Sequence, residues 1–257
     1  MKISAAIITF NEEKNIQRCL DSLASVVDEI IVIDSFSNDQ TEEICRRNNV
    51  TFIQNKFEGH IQQKNYAISQ CKHDYILSLD ADEALSPELK DSIISIKNSL
   101  SEYDAYYFNR RTQYVDQWIY HCGWYPDKKT RLFHRQKAKW GGHNPHDIII
   151  MQEGSNLKKL NGDLLHYSYN SISEHINQTN KFTTIAAQTH FDQGVRSSRT
   201  KIITRAFSKF IRDYFFKKGF LDGHYGLIIC SINSLSAFLK YAKIYELQKN
   251  KQKNKIT

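Results

Sequence analysis

Over the first hundred residues, short apolar runs alternate with segments whose apolar positions recur every three or four residues. ISAAIITF (3–10) and EIIVID (29–34) are rich in Ile and Val and predict buried strands. Between them Ile16, Cys19, Leu20 and Leu23 recur at helical spacing behind Asn11, which is expected to cap the helix. VTFIQ (50–54) and DYILSL (74–79) continue the strands, and 40–48 and 61–71 read as helices. Near-continuous apolar strands joined by helices predict an α/β fold, with a Rossmann-like, mostly parallel central sheet flanked by helices.

From 104 to 169 the pattern shortens and turns aromatic, in YYFNRRTQYV, WIYHCGWYP, TRLFHR and LLHYSY, as expected of strands and loops added to the sheet. Beyond 171 the chain reads as helical, with main segments at 200–218 and 226–248. The expected organisation is a catalytic domain over 1–170, with a nucleotide-binding part (1–100) and an acceptor-side part (101–170). A helical region over 171–248 and a disordered tail, KNKQKNKIT, over 249–257 follow.

Charge adds a division that the apolar pattern does not show. The net charge is +7, yet residues 195–257 hold 14 Lys/Arg against 3 Asp/Glu, so the first 194 residues carry 21 against 25. In 202–216, Ile202, Ile203, Phe207, Phe210, Tyr214 and Phe215 keep helical spacing while Lys201, Arg205, Lys209 and Arg212 fall largely on the other side. A basic, aromatic, amphipathic helix suits an anionic membrane surface. GLIICSINSLSAFL (226–239) is short for a span and interrupted by Ser and Asn, which points to peripheral attachment. The five cysteines are scattered and form no CxxC, which fits a reducing cytoplasm better than a disulfide framework or a zinc knuckle. MKISAAIITFNEE lacks a small-residue cleavage site and reads as a first strand, not a signal peptide.

The candidate chemistry gathers at strand ends. LSLDADEALS (77–86) sets Asp80, Asp82 and Glu83 directly behind an apolar strand, where carboxylates need solvent, a basic partner or a cation. A DxD turn can present two carboxylates to a hard divalent cation that also takes phosphate oxygens; the alternative is solvated acids ahead of a helix opening at Ser86-Pro87. In DSFSNDQT (34–41), capping explains Ser37, Asp39 and Thr41 but not Asp34, an acceptor suited to the imide N–H of uracil. His143, His146 and His166 with Cys122 are a zinc alternative, although their spacing matches no finger. Trp118, Trp124, Tyr125 and Trp140 are either sugar platforms or core.

TFNEE at the end of the first strand, DSFSNDQT at the end of the second, QKNYAI on a later helix and LDADE beyond it occur in an order that resembles the inverting glycosyltransferases of family 2, with their GT-A fold. WGGHNPHD, LHYSY and KKGFLDGHYG are similar to the subgroup of lipopolysaccharide core β-glucosyltransferases. The resemblance implies that the backbone of Thr9 to Asn11 frames the donor nucleotide, Asp34 binds uracil, Asp80 approaches the ribose and Lys64 the ribose or phosphates. It further implies that Asp82 and His166 hold Mg²⁺ or Mn²⁺ on the diphosphate and that Asp147 is the catalytic base, where the subgroup often has glutamate. Glu153 and Asp127 are the next candidates for the base. The implied reaction moves a hexose, with glucose expected, from a UDP-sugar to a glycolipid such as lipopolysaccharide inner core. Its implied place is cytoplasmic, on the inner face of the cytoplasmic membrane. Another cell-surface polysaccharide or a glycoprotein is the alternative acceptor. A nucleotidyltransferase would be expected to carry a Gly-rich basic loop after the first strand, and TFNEEKN has no glycine. A nucleic-acid partner is not expected, because the first 194 residues are net acidic and contain no reader motif.

Overall fold

In a computed structural model, residues 1–143 and 146–253 are described, and they divide into two compact units. The first comprises Met1–Arg111 and Asp127–Tyr167. Its parallel strands are β1 (Ile3–Thr9), β2 (Glu29–Asp34), β3 (Thr51–Gln54) and β4 (Tyr75–Asp80), in the order β3-β2-β1-β4. Helices α1 (Ile16–Leu23), α2 (Thr41–Arg47) and α3 (His60–Gln70) make the crossovers. Alternation along the strands covers both faces: Ile3, Ala5, Ile7, Val32 and Leu77 enter one core cluster, and Ala6, Ile31, Ile33 and Ile76 enter the other.

The α/β class read from the sequence is what the chain adopts, with parallel pairing confined to the first four strands. Beyond them come β5 (Glu83–Leu85), α4 (Pro87–Ile96), β6 (Ala105–Tyr114), β7 (Gln117–Trp118), β8 (Asp127–His134), β9 (Ala138–His143), β10 (His146–Met151) and β11 (Leu157–Tyr169). The sheet continues as β4-β8-β6-β11-β5, and β9 and β10 form a separate hairpin. Where registers are defined, these added pairs are antiparallel. Ser86 opens α4 as foreseen, its hydroxyl accepting from the Leu89 amide at 3.2 Å with Pro87 at the first helical position.

The second unit comprises Thr112–Pro126 and the chain from Ser168. Its helices are α5 (Ile172–Asp192), α6 (Arg199–Ile211) and α7 (Gly223–Lys253), with a π-helical turn at Arg212–Phe216 and a 3-10 turn at Gly219–Asp222. Gly219 and Gly226 permit close backbone approach here: a Cβ on Gly226 would sit 1.9 Å from the Gly219 carbonyl oxygen.

Three expectations need correction. Asn11 does not cap α1: residues 12–15 first make a turn, with the Asn15 and Ile16 amides both bonded to the Glu12 carbonyl, and Asn15 takes the cap position. Residues 112–126, expected on the acceptor side of the catalytic domain, group with the helices. The Asp222 carboxylate accepts from the Tyr120 and His121 amides, and Tyr114, Ile119 and Cys122 bury against Ile229 and Cys230. The tail is helical as far as Lys253, carried on by α7, and 254–257 lie outside the described residues.

Candidate active site

Strand register places the first candidates. Thr9 pairs with Asp34 and Ile8 with Asp80, so all three motifs end at the carboxyl edge of the parallel strands, where α/β sheets bind ligands. The loops there are knit together. The Asn11 amide donates to Ser37 Oγ at 2.8 Å, and Asn11 Oδ1 accepts from the Asn38 amide at 2.9 Å. Asn11 and Phe36 have φ of +55° and +62°; for a bulky exposed phenylalanine that is a strained backbone held by its surroundings.

Asp34 is fully buried, its two oxygens taken by the Ser37 amide and hydroxyl. It braces its own loop, and contact with a uracil imide requires that loop to open. Thr9 is buried too, and its Oγ1 has no hydrogen-bond partner among the described residues. An orphaned hydroxyl at a strand end is a polar position that a ligand can satisfy. Asp39 accepts from the Thr41 amide at 3.0 Å, the local cap foreseen for this segment.

The clustered carboxylates behind β4 have basic partners. Lys64 leaves the buried face of α3 and places Nζ 2.9 Å from Asp80 and 2.7 Å from Asp147, with only 5% of its side chain exposed. Arg131 lies 3.3 Å from Asp80 and 2.8 Å from Glu83. Burial alone would raise the Asp80 carboxyl, but Lys64 and then Arg131 outweigh it and hold Asp80 well below the usual range. Glu83 takes no ligand-facing role: fully buried, it accepts from the Asp80 amide at 3.1 Å and faces Arg131 and Arg110, bracing the turn. The Trp140 ring lies 4.2 Å from Lys64 Nζ, and its indole N–H donates to Ser78 Oγ. Lys64 is therefore a buried lysine paired with Asp147, and Trp140, one of the aromatics read as sugar platform or core, is buried in a core cluster beside it.

Asp82 stands apart from this network. Strand β11 pairs with β5 so that His166 lies opposite Glu83, and His166 Nε2 comes within 3.1 Å of Asp82 Oδ2. Asp82 and His166 would be the residues to hold a divalent cation, their mutual hydrogen bond giving way to it. No group of three or more His, Cys, Asp or Glu that could hold a metal occurs among the described residues. Two protein donors with substrate oxygens completing the shell suit Mg²⁺ or Mn²⁺, and the imidazole favours the transition ion. Glu12 faces the same region, its pKa pushed up to about 7 by burial and by Asp82, Asp39 and Asp80, against the Asn15 side-chain hydrogen bond.

Sequence reasoning missed Arg131, Arg110 and Glu12. Their signal was charge in otherwise half-buried strands or turns, which spacing alone does not assign to a site. Trp124 packs with Tyr114, Tyr169 and His175 in an aromatic cluster of the second unit. Of the zinc alternative, the side chains of His143 and His146 lie outside the described part of the structure, and Cys122 donates to Asp222 at 3.6 Å.

The sequence profile described as Glycosyl transferase family 2 matches residues 4–156. An uncharacterized glycosyltransferase of Rickettsia typhi is 31% identical over 255 residues, covering 96% of this chain and 87% of the relative. The lipopolysaccharide core biosynthesis glycosyltransferase LpsC of Rhizobium meliloti is 27% identical over 256 residues, covering 96% of this chain and 93% of its own. Among solved structures, S. aureus TarS aligns with a TM-score of 0.42 at 16% identity, over 86% of this chain and 45% of that one.

Proposed function

The chain belongs to glycosyl transferase family 2, and on that premise we propose that it transfers a hexose, glucose being expected, from a UDP-sugar to a hydroxyl of a membrane-held glycolipid with inversion at the anomeric carbon. The observation that carries the reading is the meeting of Asp82 and His166, 84 residues apart, beside the β4 carboxyl end in a chain of this family. LpsC, named for lipopolysaccharide core biosynthesis, supports a glycolipid of that kind as acceptor.

Asp82 and His166 would hold a divalent cation, which when bound neutralises charge on the diphosphate leaving group. Thr9 and Asn11 bind and orient the nucleotide at the strand ends, Asp34 joins them once its loop with Ser37 opens, and Asp80 approaches the ribose. Asp147 takes the proton of the acceptor hydroxyl on the opposite face of the sugar. In the resting arrangement Lys64 engages Asp147 Oδ2, so Asp147 works as a base only once Lys64 turns toward Asp80 or substrate.

The second unit supports attachment to an anionic membrane. No residue of α6 is buried, Ile203 and Phe207 are exposed, and Phe216 is 80% exposed beside Lys217 and Lys218. The helix over Gly219–Lys251 is long and apolar enough to cross a membrane by length and composition. Its Lys243 nevertheless donates to Asn180, Thr183 and Thr184 of α5, contacts of a helix packed on its neighbours that favour peripheral attachment.

Calorimetric titration of UDP with Mn²⁺ tests the proposal. Wild type is expected to bind UDP only with the ion present, and Asp82→Ala to lose that dependence while keeping its melting temperature. Equal UDP affinity in a folded Asp82→Ala variant would sink the assignment.

A further inference from the structure

We infer that the cavity beside the Asp80 turn takes an anionic group carried by the acceptor, a phosphate or carboxylate on a sugar; this rests on the reading of the chain as a glycosyltransferase. The cavity has a volume of about 470 Å³, and Lys64, Arg110, Lys128, Lys129, Arg131 and Trp140 are among its lining residues. That volume suits a sugar-sized ligand.

Its charge is unbalanced toward the positive. Five cations line it, against the carboxylates of Asp80 and Asp147. Glu83 and Asp127 pair with some of those cations, Asp127 with Arg110 at 2.9 Å and Lys129 at 3.1 Å. With those two carboxylates included, one cation is left over, and Lys128 is exposed with no ion pair among the described residues. Burial first, then Arg110, lowers the Lys129 pKa, the effect expected where cations crowd a site short of anions. Arg131 is buried, and its Nε has no hydrogen-bond partner among the described residues. This concentration lies within the stretch of chain that is net acidic.

Backbone geometry builds the cluster. Pairing of β8 with β6 jumps from Leu132 opposite Tyr106 to Thr130 opposite Tyr107, leaving Arg131 as an extra residue. Such a bulge re-aims side chains, and four successive residues, Lys128 to Arg131, line the one cavity.

The lining holds the candidate base Asp147 together with Lys64 and Asp80, at its border with the donor, whereas Thr9, Asp34, Asp82 and His166, the other nucleotide and cation candidates, are absent from it. A base must meet the acceptor hydroxyl, so an anion held beside Asp147 belongs to the acceptor. The donor's own diphosphate is the competing source of the same chemistry.

Calorimetry on the full-length chain distinguishes the two, with glucose 6-phosphate and glucose as probes, each with and without saturating UDP and Mn²⁺. Glucose 6-phosphate is expected to bind in the presence of UDP and Mn²⁺, and glucose at least about tenfold more weakly. Lys128→Glu/Lys129→Glu should cost glucose 6-phosphate about tenfold or more while UDP affinity stays unchanged. Lys128→Ala, at an exposed side chain, should show a smaller loss in the same direction and serves if the double variant melts early. Displacement of glucose 6-phosphate by UDP would assign the anion site to the donor and overturn the inference, as would binding indifferent to both variants. Failure of wild type to bind UDP at all would remove the transferase reading, and the acceptor assignment with it.

Discussion

Replacing Lys64 with methionine keeps most of the unbranched side chain and deletes the charge between two carboxylates. Its Nζ stands 2.7 Å from Asp147 and 2.9 Å from Asp80, and the three side chains are 5%, 14% and 27% exposed. Removing one member of a buried pair costs about 3–5 kcal/mol, because the partner stays buried and unpaired. Partial exposure of both carboxylates, and the Arg131 contact left to Asp80, place the effect at the lower end, about 3 kcal/mol. For a chain of this size that is a fall in Tm of about 6–12 °C, read by calorimetry or circular dichroism at pH 7. The pH dependence follows from the depressed Asp80 carboxyl. A depressed folded value adds stability above the unfolded value, about 4, and that stability is lost as pH falls through the folded value. The gap between wild type and variant should therefore be full above about pH 5 and narrow on acidification. Lys64→Met/Asp147→Leu should regain part of the loss, because neither partner is then stranded. A Tm at pH 7 within about 1 °C of wild type, or a gap that widens toward pH 4, would refute the view of Lys64 as the neutralising centre of the site.

Two further outcomes are expected. In metal-free protein Glu12→Gln should raise Tm at pH 8 and change it little at pH 5: the folded pKa of about 7 lies above the ordinary value of 4.5, so the destabilisation of wild type builds up as pH rises between the two and levels off above 7; an increase already complete at pH 5 would contradict it. Phe215→Ser/Phe216→Ser should weaken flotation with anionic vesicles without altering UDP binding, and equal flotation of wild type with neutral and anionic vesicles would remove the electrostatic part of the membrane reading.

What the sequence made legible was whatever follows from local pattern. Apolar runs ending in polar motifs located β1, β2 and β4, and parallel register then forced Thr9, Asp34 and Asp80 to one edge. The Ser86-Pro87 start of α4 was legible for the same reason, since a cap is a matter of adjacent residues. Long-range partners were not. Lys64 on a helix of mixed pattern reads as a surface lysine until α3 turns its Gln63, Lys64 and Ala67 face inward. Arg131 reads as strand decoration until the bulge in β8 sets it against Asp80 and Glu83. The segment 112–126 misled because its strand-like aromatic pattern satisfies a sheet and a helical cluster equally. Only the buried Asp222, bonded to two of its amides, decides between them.

The arrangement answers why a buried strand ends in three acids. Glu83 is spent on structure, fixing the turn through the Asp80 amide and Arg131. Asp80 is neutralised by Lys64 and Arg131, and only Asp82 is left with a neutral-capable partner, His166. That division gives the turn one carboxylate whose pairing can be exchanged for a cation without stranding a charge, since an imidazole that loses its carboxylate contact can become a ligand beside it. Lys64 makes the complementary exchange on the other side: held by two carboxylates, it can release Asp147 and keep Asp80. If Asp147 is the base, as proposed, its pairing with Lys64 keeps it closed until an acceptor displaces the lysine.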